Sequence, residues 1–211
     1  MTLAHAAQPR AGSTRTGPLS PLAITMPVVA GLILGLVTQR CAHLGAATNE
    51  ALATSTGPWA VAAALIGRRA RTAWGAAGAA TACLWCATIA FYACGGPAGG
   101  AGTPVFWLLL IITVGPVLGI VGRLTHTDGV VGSLANAIIA GWLIGEAAHT
   151  TLSYAAASRW LAIAIDVTAV ACWLAVARGP RRLTAAALLP MSLIAIALLT
   201  AVEHAAHSHL Y

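Results

Sequence analysis

Apolar residues fill seven blocks of this chain, and short polar or glycine-rich segments separate the blocks. Most blocks approach the roughly 20 apolar residues that a helix needs to cross a bilayer. The sequence therefore predicts an all-α, polytopic transmembrane helix bundle of about seven spans. The predicted spans are 22–38, 51–67, 73–94, 104–122, 130–148, 160–177 and 183–202.

The basic residues give this predicted bundle an orientation. All eleven are arginines, and with seven spans only Arg40 and Arg159 fall on the minority side. Basic residues in short loops are retained on the cytoplasmic side, so the pattern predicts an N-terminus inside and a C-terminus outside. The arginines of the cytoplasmic side are Arg10, Arg15, Arg68, Arg69, Arg71, Arg123, Arg178, Arg181 and Arg182.

Composition narrows the class of protein further. Hydrophobic residues make up 59% of the chain and charged residues 8%, against roughly 45–50% and 25% in soluble domains. We expect a disordered cytoplasmic tail (1–21), a transmembrane domain (22–202) and a short histidine-rich external tail (203–211). The formal charge of +6 lies in arginines at span ends, which favours anionic lipid headgroups over nucleic acid as partner. The predicted location is a bacterial plasma membrane.

The second span contains a break signal, the pair Gly57–Pro58. Proline disfavours the helical conformation in the residue before it, so the pair should interrupt the span or start it. In a broken span, residues 54–56 would lie inside the bundle and their hydroxyls would serve the freed backbone groups. In an ordinary helix start, those residues belong to an external loop and Pro58 occupies the first turn.

Acidic residues within the apolar blocks are the candidate functional groups. A charge inside hydrocarbon costs roughly 2.5–3.5 kcal/mol on insertion scales and usually has a purpose. Glu146 and His149 share a face of the fifth span, and Asp166 lies two turns below Arg159 on the sixth. These four residues predict an outward-facing polar pocket. The alternative is a structural ion pair that joins the two spans, in which Arg159 neutralises the charge of Asp166.

Neither the cysteines nor the histidines give a firm ligand set. Cys41 and Cys94 both fall at the outer surface, where a disulfide could persist, but the sequence does not establish that they are within reach. Imidazole suits zinc, copper or nickel, yet a solvated chain end explains the C-terminal histidines without a metal. We therefore expect no metal or other cofactor, with three histidines as alternative ligands: His204, His207 and His209.

Three pairs of glycines four residues apart mark helix faces that other helices can approach closely. They are Gly31/Gly35, Gly115/Gly119 and Gly141/Gly145. We interpret them as packing surfaces, through which a homo- or hetero-oligomer is conceivable.

Several short segments resemble a family of small integral membrane proteins of unknown function that is typical of actinomycetes. The segments are LATSTGPW (52–59), VGPVLG (114–119) and LIGE (143–146). The resemblance supplies no activity, cofactor or substrate. It singles out eight pattern positions, which are Gly57, Pro58, Trp59, Gly115, Pro116, Gly119, Gly145 and Glu146.

Three classes of function fit a multipass membrane protein with this sequence. A permease or channel-like protein for a small solute would explain the spans and the acidic residues. An accessory or assembly subunit would explain the short loops and the glycine faces. An intramembrane enzyme acting on lipid comes third, because the sequence offers no catalytic residue and none of the P-loop or G-x-S-x-G motifs.

Overall fold

A computed structural model describes residues 21–43, 55–95, 102–153, 156–176 and 181–210, and these form helices and short turns without a strand. The all-helical class is therefore confirmed. The seven helices are α1 (Pro21–Ala42), α2 (Gly57–Arg68), α3 (Ala73–Ala93), α4 (Gly102–Leu124), α5 (Val130–Ser153), α6 (Ala156–Val176) and α7 (Arg181–Leu210).

Four of these helices contain segments long and apolar enough to cross a membrane, namely Ile24–Cys41, Ala73–Ala93, Pro104–Leu124 and Val130–His149. Each of the seven predicted spans overlaps one helix. Helix α7 continues beyond the predicted end at residue 202, and its backbone stays helical to Leu210 through the histidine-rich segment. The predicted N-terminal tail lies almost wholly outside the described residues.

Helix α2 differs from the prediction. It has 12 residues, which span about 18 Å at 1.5 Å per residue, while the hydrocarbon core of a bilayer is roughly 30 Å thick. The helix begins at Gly57, with Pro58 in its first turn, and not at residue 51. Residues 51–54 of the predicted span lie outside the described part of the chain.

Glycines allow the helices to pack backbone to backbone. A Cβ on Gly31 or Gly35 of α1 would overlap backbone oxygens of α3, and one on Gly119 of α4 would overlap Ala76 O of α3. A Cβ on Gly115 would lie 2.7 Å from Thr81 Oγ1, and Gly141 and Gly145 meet α7 in the same way. All three predicted glycine pairs thus pack against helices of this chain. An oligomer through these faces stays a prediction, and it would require the glycines to leave those contacts.

Helix α2 connects two groups of helices. The most extensive contacts elsewhere join α5 to α7, α1 to α3 and α3 to α4, while α2 contacts α3 and α4 as well as α5 and α6. Small side chains of α2 enter the core, where Ala60, Ala63 and Ala64 pack with Ile139 of α5 and Trp173 of α6. A shift of α2 would therefore change the packing against α3 and α4 and also against α5 and α6.

The C-terminal end of α2 is tied tightly to its surroundings. A Cβ on Gly67 would overlap backbone atoms of Gly119, and one on Gly122 would overlap Ala64 O. Arg68 Nε, at the last residue of α2, donates to His126 Nε2 (3.0 Å), and Arg123 Nη2 donates to Arg71 O beyond the helix (3.2 Å). Arginines from two predicted cytoplasmic loops thus lie at one end of the molecule.

The described cysteines are free thiols. Cys41 is half-buried and Cys94 is exposed, so the conceivable disulfide between them is not formed. Cys83 is buried, Cys86 is half-buried, and both pack where Gly31 approaches α3. Both cysteines therefore contribute to helix packing.

Candidate functional site: a buried pair of carboxyl groups

A glutamate from α5 caps the beginning of α2. The side chain of Thr56, the residue before α2, makes no capping hydrogen bond. Glu146 accepts one hydrogen bond from the Thr56 backbone N–H and another from Thr56 Oγ1 (3.1 Å). The first N–H groups of a helix lack partners inside the helix, and a negative charge is stabilised there. Glu146 therefore serves as an N-cap from 90 residues away.

A tryptophan holds this arrangement from the side. Trp142 precedes Glu146 by one helical turn, so the two side chains share a face of α5. Its indole Nε1 donates to Thr56 Oγ1 at 3.2 Å. The Thr56 hydroxyl thus accepts from Trp142 and donates to Glu146, and its orientation is fixed at both ends.

A second carboxyl group, that of Asp166, meets the same point from α6. Asp166 lies at the middle of the 21-residue α6, and none of its side chain is exposed. A Cβ built on Gly57 would lie 2.6 Å from Asp166 Oδ1 and 3.0 Å from Glu146 Oε2. The two carboxyl groups come together over Gly57 because this residue has no side chain. We call Ser55, Thr56, Glu146 and Asp166 the carboxyl site.

Several oxygen atoms of the carboxyl site lack hydrogen bonds. Among the described residues, neither carboxyl oxygen of Asp166 has a hydrogen-bond partner, and neither does the buried hydroxyl of Ser55. The Ser55 hydroxyl lies beside Glu146 without a hydrogen bond of normal geometry. Leu143 closes the site with an apolar surface, its Cδ2 2.9 Å from the same Cβ position on Gly57. Buried polar groups are nearly always satisfied, so this cluster of acceptors needs an explanation.

The structure brings two of the four predicted pocket residues together, Glu146 and Asp166. His149 is buried one turn beyond Glu146, and Arg159 is half-buried at the beginning of α6. Arg159 donates no hydrogen bond to Asp166, although their seven-residue spacing suggests a pairing. A seven-residue spacing places two residues on the same face of one helix, but the packing of the neighbouring helices determines whether their side chains meet.

Sequence reasoning missed the partners that α2 contributes. The hydroxyls before Gly57 were expected to serve freed backbone groups, but Thr56 donates to a carboxylate of another helix. Ser55 is only 8% exposed, as the broken-span alternative expects, but the start of α2 at Gly57 with Pro58 in its first turn is what the ordinary helix start expects. Residues 51–54, which would separate the two, lie outside the described part of the chain. Nothing in the sequence marks Trp142 as part of the site except its position one helical turn before Glu146.

The family-pattern positions fall into two sets. Gly57 and Glu146 belong to the surroundings of the carboxyl site, and Pro58 and Trp59 follow it in the first turn of α2. The Trp59 ring packs edge-on against Phe91 of α3, with ring centres 6.0 Å apart. The remaining positions lie in α4 and α5, where the three glycines make close helix contacts. They are Gly115, Pro116, Gly119 and Gly145.

The chemistry available at the carboxyl site is that of hard oxygen ligands. Two carboxyl groups and two hydroxyls suit protons and alkali or alkaline-earth cations more than soft metals. Within the described residues no group of three or more His, Cys, Asp and Glu side chains is assembled. The side chains of His204, His207 and His209 are outside the described part, so the alternative metal site there stays a prediction.

An apolar groove runs along the contact between α2 and α6, next to the carboxyl site. Its volume is about 530 Å³, and its lining contains a single hydroxyl, that of Thr168. Asp166 does not line it. The other lining residues are Pro58, Val61, Ala164, Ile165 and Ala169. The groove leaves α2 and α6 loosely packed on that side.

Comparison with known proteins gives one match. The model of a family of unknown function (DUF6518) matches residues 14–207, which is nearly the whole chain. No curated protein and no solved structure matches it.

Proposed function

The chain belongs to this family of unknown function, and we propose that it is a multipass membrane permease or channel-like protein for a small solute. The observation that carries the proposal is the buried, unsatisfied Asp166 beside Glu146 at the beginning of a half-length helix. We place the carboxyl site on the path of the solute.

A membrane location is supported by the outer surface of the bundle. Large apolar side chains are exposed on it, among them Trp74 (87%), Leu189 (69%) and Leu109 (61%). Such a surface is expected where lipid, and not water, surrounds the helices. We propose that all seven helices lie in the membrane, with the N-terminus and the arginine-rich end of α2 in the cytoplasm and the C-terminus outside.

The permease interpretation is supported by the combination of a short helix with intramembrane acids. Ionisable residues inside a membrane bundle are costly and commonly mark ion or solute pathways. Many transporters bind their substrates where a discontinuous helix begins, because its unpaired backbone groups face the site. Helix α2 begins inside the bundle and directs its first N–H group at Glu146.

Reporter fusions test the proposed topology. A periplasmic reporter fused after Tyr211 should be active, and a cytoplasmic reporter at the same point should be inactive. A cytoplasmic reporter inserted after Arg71 should be active. The reverse pattern would contradict the orientation.

Flux measurements test the permease itself. Proteoliposomes loaded with a mixture of small metabolites should lose particular solutes faster than protein-free liposomes, as read by mass spectrometry. Asp166→Asn should abolish the loss, because the substitution removes a charge from the proposed pathway. Asp128→Asn, at an exposed turn between α4 and α5, is the matched control and should retain it. A folded protein that releases no solute, yet co-purifies stoichiometrically with another membrane protein, would favour the accessory-subunit alternative.

A further inference from the structure

We propose that the carboxyl site binds a small monovalent cation of the sodium type. Ser55, Thr56, Glu146 and Asp166 supply the oxygen ligands. Binding itself does not depend on transport, but the use of this cation to drive a solute rests on the proposed function.

The unsatisfied atoms of the carboxyl site are all oxygens that can coordinate a cation. Both oxygens of Asp166 and the hydroxyl oxygen of Ser55 are buried and lack partners among the described residues. Ser55 comes from the segment before α2, and Asp166 comes from α6. One cation can satisfy several oxygens from different helices at once, whereas an added hydrogen-bond donor would satisfy only one or two.

The charge balance favours a single positive charge. Glu146 already receives the Thr56 N–H and the Thr56 hydroxyl, at a helix N-terminus equivalent to roughly half a positive charge. Asp166 has no such compensation and is completely buried. One uncompensated negative charge remains, and a monovalent cation neutralises it. Because Glu146 occupies the first N–H group of α2, the helix end is shielded from the cation.

The dimensions and the ligand types favour a small, hard cation. Asp166 Oδ1 and Glu146 Oε2 both lie within 3.0 Å of one point beside Gly57, so the space between the two carboxyl groups is narrow. Carboxylate and hydroxyl oxygens are the ligands of hard cations. The carbonyl of Thr56 already accepts from the Ala60 N–H (2.9 Å), so the ligands in this site are side-chain oxygens.

Thermal unfolding of the full-length protein in detergent tests the site without any transport assay. At pH 8 and constant ionic strength, replacing choline chloride with sodium chloride should raise Tm by roughly 5 °C near saturation. Potassium should raise it much less, because the site is narrow. Equilibrium binding of radioactive sodium should reach one ion per chain.

Substitutions separate a specific site from a general salt effect. Asp166→Asn should abolish the sodium-dependent shift, and Ser55→Ala should weaken the apparent affinity for sodium roughly tenfold. Ser192→Ala is the matched control for Ser55→Ala, since Ser192 is also buried but donates to Leu188 O at 2.8 Å. Asp128→Asn is the control for Asp166→Asn. Both controls should keep the full shift.

Two results would overturn the cation site. A sodium-dependent shift that persists in Asp166→Asn and Ser55→Ala would be a general salt effect. A Tm that ignores sodium but rises on acidification, in wild type and not in Asp166→Asn, would mean that the carboxyl groups share a proton instead. If sodium binds as expected while proteoliposomes release no solute, only the permease proposal fails.

Discussion

The C-terminal end of α2 meets its neighbours backbone to backbone, while the N-terminal end meets them through polar side chains. Gly67 and Ala64 pack directly on Gly119 and Gly122 of α4, since a Cβ on Gly67 would overlap Gly119 O and one on Gly122 would overlap Ala64 O. At Gly57 the nearest atoms are the carboxyl oxygens of Asp166 and Glu146 and the methyl group of Leu143. Glycine occurs at both ends. At the C-terminal end it allows close backbone packing, and at the N-terminal end it leaves space for the two carboxyl groups.

The two ends of α2 therefore have different roles, one in stability and one in the carboxyl site. Close packing fixes the position of α2 and gains dispersion energy at its C-terminal end. The N-terminal end carries unsatisfied buried oxygens, each of which costs stability. A fold retains such a cost where a ligand or a proton removes it during function. The following predictions are ordered from the largest expected effect to the smallest.

Gly122→Ala should destabilise the protein most, by about 3 kcal/mol, because the new methyl group would overlap Ala64 O and force α2 away from α4. Thermal unfolding followed by tryptophan fluorescence measures the loss. Gly78→Ala in α3 is the control, since its Cβ would have no heavy atom within 4 Å. Equal stability of the two variants would show that α2 and α4 are not in close contact.

Asp166→Asn should stabilise the protein in sodium-free choline buffer at pH 8, by about 1 kcal/mol. The substitution keeps the shape of the side chain and removes a buried charge that has no partner. Tm should rise by roughly 2–4 °C, while Asp128→Asn should leave it unchanged. A fall in Tm for Asp166→Asn would mean that Asp166 is paired, as the spacing to Arg159 suggested.

Trp142→Phe should have the smallest effect, a loss of roughly 0.5–1 kcal/mol. An aromatic ring remains, but the substitution removes the indole N–H that donates to Thr56 Oγ1, together with the five-membered part of the ring. Trp74→Phe, at a side chain that is 87% exposed, is the control and should unfold at the wild-type temperature. If both variants behave alike, the indole hydrogen bond contributes nothing to the cap of α2.

The sequence predicted the helices well because each apolar block is bounded by local signals. Glycines after residue 94 and the polar turn at Asp128 limit α3 and α4 without reference to any neighbour. Glu146 and Asp166 could be chosen because charge in an apolar block is rare. Their meeting over Gly57, and the role of Ser55, depend on how α2 packs between α5 and α6. That packing involves residues about 90 and 110 positions apart, which no local pattern encodes.

The cap that Glu146 provides also has a consequence for the order of assembly. Residues 55–68 are synthesised long before α5, and a 12-residue helix is marginal on its own. Its first N–H group receives its acceptor only after another 90 residues have been made. We expect α2 to be a late-docking element, which enters its final place when α5 arrives and not when it first leaves the ribosome.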